Sequence, residues 1–115
     1  KRLQSMSKVL SEQGLVVLDG VLYAHPDLLT WNRENFREYF EIYLKVSLDT
    51  VRRRDPKGLY AKAAAGKMRN VVGIDIPGHE PVAPHMTIDQ DVPRPPDALA
   101  RQIADSIPRL RAALL

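Results

Sequence analysis

Leu3, Met6, Val9 and Leu10 recur at helical spacing, and Gly14 follows where a helix C-cap belongs. The chain therefore opens on a predicted helix over residues 1–13. Leu15, Val16, Val17 and Leu18 then form an unbroken apolar run closed by Asp19-Gly20, which predicts a strand buried on both faces, as in a parallel sheet. Helix, short turn and buried strand in succession set the rhythm of a parallel α/β fold.

The pattern continues in that style. His25-Pro26-Asp27 opens a second helix with Pro in its first turn, and Leu28, Leu29 and Phe36 supply its apolar face. Residues 40–46 predict a second strand. Ser47 suits the N-cap of a short helix over 48–53, with Asp49 in its first turn and Arg52, Arg53 and Arg54 near its end, both favourable to the helix dipole. Asp55-Pro56 ends it. Residues 59–65 can form two turns of helix, stopped by Gly66. Residues 70–84 hold three of the nine prolines and two of the six glycines, which predicts irregular structure. Residues 86–89 read as a last short strand. Leu99, Ile103, Ile107, Leu110 and Leu114 stripe a closing helix that Pro108 should kink. There is no internal repeat and no inter-domain linker, so residues 1–115 read as one domain.

Composition narrows the function classes. At 115 residues the chain is one small domain or part of one, and it lacks an initiator Met, with Lys1-Arg2 leading straight into an apolar period. It reads as the visible part of a longer protein. The absence of cysteine excludes disulfides and thiolate metal sites. No apolar run approaches the roughly 20 residues of a membrane span, and no signal peptide is visible. The formal charge of +3 and pI near 9.4 suit a cytoplasmic protein that handles small anions. They fall short of the clustered basic and aromatic face of a nucleic-acid binder.

The candidate chemistry gathers between residues 54 and 75. Arg54-Asp55-Pro56-Lys57-Gly58-Leu59-Tyr60 puts cations, a Pro turn, a Gly hinge and an aromatic between a short helix and an irregular segment, a mixture suited to a phosphorylated ligand. The three arginines can equally be a solvated helix end. Lys57 sits on a Gly-flanked turn from which its ammonium can reach a phosphate as a point charge. Asp19, after an apolar strand, has the pattern of a carboxylate near Mg²⁺, or of a polar turn after a buried strand. His25, His79 and His85 lack metal-ligand spacing and read as surface residues; Trp31 and Phe36 read as core or interface. No Ser-His-Asp pattern, paired-carboxylate motif or Gly-rich phosphate loop is present, so nothing here would hold ATP phosphates alone.

At these residues the chain resembles the adenylylsulfate kinase (APS kinase) family. The similar pieces are residues 54–63, from Arg54-Asp55-Pro56-Lys57 to Lys62-Ala63, then Ala65-Gly66, Asn70, Gly73-Ile74-Asp75, Glu80-Pro81 and Pro84. Upstream, Arg2-Leu3, Lys8 and Gly14-Leu15 fall at the spacing of the family's helix and third strand. The resemblance covers nearly all of this chain but only the C-terminal two-thirds of the family's domain. It implies a three-layer α/β phosphate-loop kinase fold with a parallel sheet, whose first strand, phosphate loop, first helix and Asp-Gly-Asp motif would precede Lys1. It implies transfer of the γ-phosphoryl group of ATP, with Mg²⁺, to the 3′-hydroxyl of adenylyl sulfate, in sulfate assimilation. It makes residues 54–84 a lid, with Arg54, Lys57, Tyr60, Gly73, Ile74 and Asp75 on the nucleotide side. Leu22, Tyr23, Lys57, Asn70 and Val71 become acceptor contacts. Members are often homodimers or fused to ATP sulfurylase.

Two departures fall on the acceptor side. The family has Phe-Thr at Val71-Val72, so the aromatic that stacks on the acceptor base is absent. It has Phe-Ile-Ser-Pro where this chain has Val21-Leu22-Tyr23-Ala24. The helix containing Trp31-Asn32-Arg33-Glu34-Asn35-Phe36 also resembles a divergent branch, some of whose members act on other nucleotides such as a cytidine derivative. Three functions follow: an adenylyl sulfate kinase, a kinase of another nucleotide-linked metabolite, or a non-catalytic domain for assembly or regulation beside a partner enzyme.

Overall fold

A computed structural model describes residues 1–22, 25–71 and 78–113. Six helices and two strands lie among them: α1 (Arg2–Glu12), α2 (Pro26–Asn35), β1 (Ile42–Lys45), α3 (Leu48–Arg54), α4 (Leu59–Ala64), β2 (Met86–Asp89), α5 (Pro96–Ser106) and α6 (Pro108–Ala113). The strands pair in parallel, with Ile42 opposite Met86 and Lys45 opposite Asp89. Parallel neighbours need a long crossover, and here α3, α4 and the 65–85 segment supply it.

Local signals set most of the element ends. Gly14, at φ +83°, lies just past α1 in the left-handed region, and its N–H donates to Ser11 O. His25 caps α2 through Nδ1, which accepts the Asp27 N–H at 3.3 Å. Ser47 caps α3, its Oγ accepting the Thr50 N–H at 3.2 Å. The closing segment is two helices rather than one kinked helix. Ile107, before Pro108, is extended at φ −107°, ψ 110°, because the proline ring disfavours the helical region for the residue before it.

One expected element is not formed. Residues 15–18 are not in a strand, and Leu15, Val16 and Leu18 are exposed. A strand exists only through hydrogen bonds to a neighbour. The two strands among the described residues pair with each other, and neither pairs with this run along its free edge. The apolar face of α1 is exposed as well, at Leu3, Met6, Val9 and Leu10. Among the described residues only Leu29 and Ile88 are buried large apolar side chains. The Cα radius of gyration, 16.3 Å, exceeds the about 13 Å expected of a closed domain of this length.

A buried polar hub lies beside β1. Glu41, just before the strand, is 6% exposed. Its carboxylate accepts Arg33 Nη2 from α2 at 3.0 and 3.1 Å and the Tyr39 hydroxyl at 2.8 Å. Its N–H donates to His85 Nδ1 at 2.9 Å, and its carbonyl accepts the His85 N–H. Arg33 also donates to Ala83 O at 3.3 Å. A buried charge is tolerated only when paired and hydrogen-bonded, so Glu41 fixes α2 and the approach to β2 onto one end of β1. Phe36, Tyr39, His85 and Phe40 form a run of ring contacts beside it.

Candidate functional site

At the other end of β1, α3 and α4 meet in a hydrogen-bonded knuckle built from Arg54-Asp55-Pro56-Lys57-Gly58. The Asp55 N–H closes α3 on Val51 O at 2.9 Å, and its carbonyl accepts the Gly58 N–H at 3.1 Å. Its carboxylate then reaches the first turn of α4, where Oδ1 accepts the Tyr60 N–H at 3.3 Å and Oδ2 the Ala61 N–H at 3.0 Å. One side chain thus ends one helix and starts the next. Gly58 sits at φ +64°, where a side chain is strained and glycine is not.

Arg54 points back over the sheet. Its Nη1 donates to Gln90 O at 2.7 Å, and Nη2 reaches Asp91 O at 3.5 Å, in the turn that follows β2. Asp91 closes the opposite end of α3. Its Oδ1 accepts both the Ser47 N–H, at 2.9 Å, and the Ser47 hydroxyl, at 3.1 Å. The Ser47 N–H, together with the Thr50 and Ser47 hydroxyls, holds the Asp91 carboxyl below its ordinary range. Between these elements lies an open, mainly apolar cleft of about 430 Å³, walled by Leu44, Val46, Val51, Arg54, Tyr60 and Gln90, with Lys57 at its rim. Lys57 is exposed and has no ion-pair or hydrogen-bond partner among the described residues. The cleft therefore combines apolar walls, a guanidinium held by backbone carbonyls and one uncommitted ammonium. A base or other flat group with a phosphate attached matches that combination.

The other expected site residues are placed less uniformly. Arg54, Lys57 and Tyr60 come together around the cleft. Asn70 lies at φ +62°, a conformation that asparagine tolerates better than most side chains, and Val71 beside it is half-buried. Leu22 is 88% exposed. Tyr23, Gly73, Ile74 and Asp75 lie outside the described residues. Asp19 Oδ2 accepts the hydroxyl of buried Ser7 at 2.6 Å, which ties the 15–18 run to α1, while Oδ1 has no partner among the described residues. Gln90 and Asp91 were not legible as site residues. Their apposition to α3 depends on the pairing of β1 with β2, and neither residue carries a motif.

Comparison with known proteins identifies the family. The family model described as Adenylylsulphate kinase matches residues 1–89. An adenylyl-sulfate kinase of Oceanobacillus iheyensis is 37% identical over 97 residues, covering 79% of this chain and 47% of that protein. A cytidine diphosphoramidate kinase of Campylobacter jejuni is 35% identical over 77 residues, covering 67% of this chain and 45% of that protein. The chain thus spans about half the length of these curated relatives. Among solved structures, the APS kinase of Mycobacterium tuberculosis in complex with AMPPNP and APS matches with a TM-score of 0.80 at 31% identity, covering 91% of this chain and 62% of that one. The likeness makes the fold that of a phosphate-loop kinase, of which this chain forms a part. By sequence and by fold, the chain belongs to the adenylylsulphate kinase family.

Proposed function

We propose that the protein containing this chain transfers a phosphoryl group from ATP to a nucleotide, with the 3′-hydroxyl of adenylyl sulfate as the acceptor. The observation that carries the reading is the 54–60 knuckle, which locks Arg54 and Asp55 into the frame and leaves Lys57 uncommitted at the rim of an apolar cleft. Phosphoryl transfer asks a protein chiefly for positioning and charge neutralisation, and the residues of this chain divide along that line. Arg54 and the apolar walls hold a planar group; the Lys57 ammonium meets negative charge as it arrives. Asn70, Val71, Leu22 and Tyr23 are the proposed acceptor contacts, as the family resemblance implies.

ATP, when bound, supplies the transferred group. The cleft suits its base and the Lys57 rim its phosphates, while this chain contributes no phosphate loop. Mg²⁺ is commonly held by one or two carboxylates together with phosphate oxygens and water. Asp19, with one carboxylate oxygen open, fits such a role.

A second acceptor reading is favoured by the cytidine diphosphoramidate kinase among the relatives and by Val71 standing where the family's stacking aromatic would be. Single-turnover assays of the intact protein with ATP on adenylyl sulfate and on a panel of cytidine nucleotides distinguish the two. Product from adenylyl sulfate supports the first reading, and product from cytidine nucleotides alone replaces it with the second. No product from any acceptor leaves the domain a non-catalytic role in assembly or regulation. Homodimerisation and association with ATP sulfurylase belong to the proposal as partners.

A further inference from the structure

We infer that Asp91 is a positioning residue for the proposed nucleotide cleft, acting through α3 to hold Arg54 and the Gln90 wall in place. The inference rests on the phosphoryl-transfer reading above and concerns a residue that touches no proposed ligand. Helix α3 is two turns long and is fastened to the turn after β2 at both ends. At its start, the Asp91 carboxylate takes the Ser47 N–H and hydroxyl, at 2.9 and 3.1 Å. Ser47 in turn caps the helix through the Thr50 N–H, and Thr50 is 2% exposed, so the junction reaches the interior. At its end, Arg54 donates to Gln90 O and Asp91 O. The turn itself is shaped by Asp89, whose Oδ1 accepts the Asp91 N–H at 2.8 Å, and by the Gln90 N–H, which donates to Lys45 O at 2.7 Å. Helix, turn and β1 therefore form one closed loop of hydrogen bonds.

Because the loop is closed, Arg54 and Gln90 are not independent walls. Removing the Asp91 carboxylate frees the start of α3, and the helix can then pivot about its remaining anchor at Arg54. The pivot changes the cleft that Arg54 and Gln90 line, and the bonds that close the loop join Lys45, Ser47, Arg54, Asp89, Gln90 and Asp91. Asp91 should therefore affect the ATP side of the reaction and leave the acceptor side alone.

The test compares Asp91→Ala with Asp91→Asn in the intact protein. Asparagine keeps an oxygen acceptor for Ser47 and should restore most of what alanine removes. Losing hydrogen bonds to a charged group corresponds to about a tenfold effect. Asp91→Ala should accordingly raise the KM for ATP about three- to tenfold, with the acceptor KM within about twofold and Asp91→Asn close to wild type. Hydrogen exchange, read without nucleotide, should accelerate over residues 47–54 in Asp91→Ala. Unchanged exchange overturns the closed loop; faster exchange with an unchanged KM for ATP, or with both KM values raised alike, overturns the positioning role. If the wild-type protein transfers no phosphoryl group and binds no AMPPNP, the functional reading has failed instead, and the exchange result reports that separately.

Discussion

Lys57 and its neighbours show how one motif divides its labour residue by residue. Arg54 is hydrogen-bonded to backbone carbonyls and Asp55 to the first turn of α4, whereas the Lys57 ammonium beside the cleft has no partner among the described residues. Replacing Lys57 by alanine in the intact enzyme should lower kcat/KM by about tenfold or more, the scale of one lost charge-assisted contact. Lys57→Arg should retain part of the activity, and steady-state kinetics on both substrates reads the difference. At the acceptor side, Val71→Phe restores an aromatic where the family carries one. Base stacking contributes ~1–3 kcal/mol in nucleic-acid systems, so this variant should improve use of adenylyl sulfate in the same assay. An unchanged kcat/KM would mean that the pocket differs by more than one missing ring.

At the scale of elements, the junctions carry the argument. Gly58 allows α3 to turn into α4, and the space around a Cβ there is open. Gly58→Ala should therefore cost only the left-handed backbone penalty, about 1–2 kcal/mol, without a clash, and denaturant unfolding measures it. The α2–β1 junction has a pH signature. Burial, with a contribution from Glu41, raises the Tyr39 hydroxyl to about 12, although its contact with Asn32 acts the other way. The folded chain then keeps a proton between pH 10 and about 12 that the unfolded chain releases, so this tyrosine's contribution is complete below pH 10 and is lost as pH rises through about 12. Tyr43 is raised too, by burial and by Glu80. Unfolding midpoints measured from pH 9 upward should fall in wild type and fall less in Tyr39→Phe. Equal slopes would remove Tyr39 as the cause. These junctions were partly legible, because a Ser cap, a Pro turn and a Gly in the left-handed region act within four residues. The Glu41 hub was not, since Arg33, Tyr39 and His85 converge on it from as far as 44 residues away.

At the scale of the whole molecule, few large apolar side chains are buried among the described residues. Leu3, Met6, Val9 and Leu10 on α1, with Leu15, Val16 and Leu18 after it, leave a continuous stretch of sequence exposing large apolar side chains. Exposed apolar patches of this kind associate. The 115-residue chain by itself should therefore self-associate at micromolar concentrations in sedimentation velocity. A Val16→Lys/Leu18→Lys variant should shift toward monomer while keeping its helical circular dichroism. An unshifted distribution would place the association elsewhere. Arg109 links the two ends of the chain here, donating to Gly14 O at 2.8 Å beside the end of α1.

The sequence by itself determined the helices α1 and α3 to within a residue, the start of α2 and the Gly-hinged turn at 56–58. It also carried the family likeness in residues 54–63. Each of these depends on neighbours along the chain: a cap bonds three residues on, a helical face repeats every three or four, and a left-handed turn needs glycine at one position. Only the tertiary structure decided which groups meet across the chain. It set Arg54 on the carbonyl of Gln90, Asp91 on the cap of α3, and Glu41 between α2 and the approach to β2. It also left the apolar run 15–18 outside any strand, because hydrophobicity can select a strand but only a neighbouring backbone can complete one.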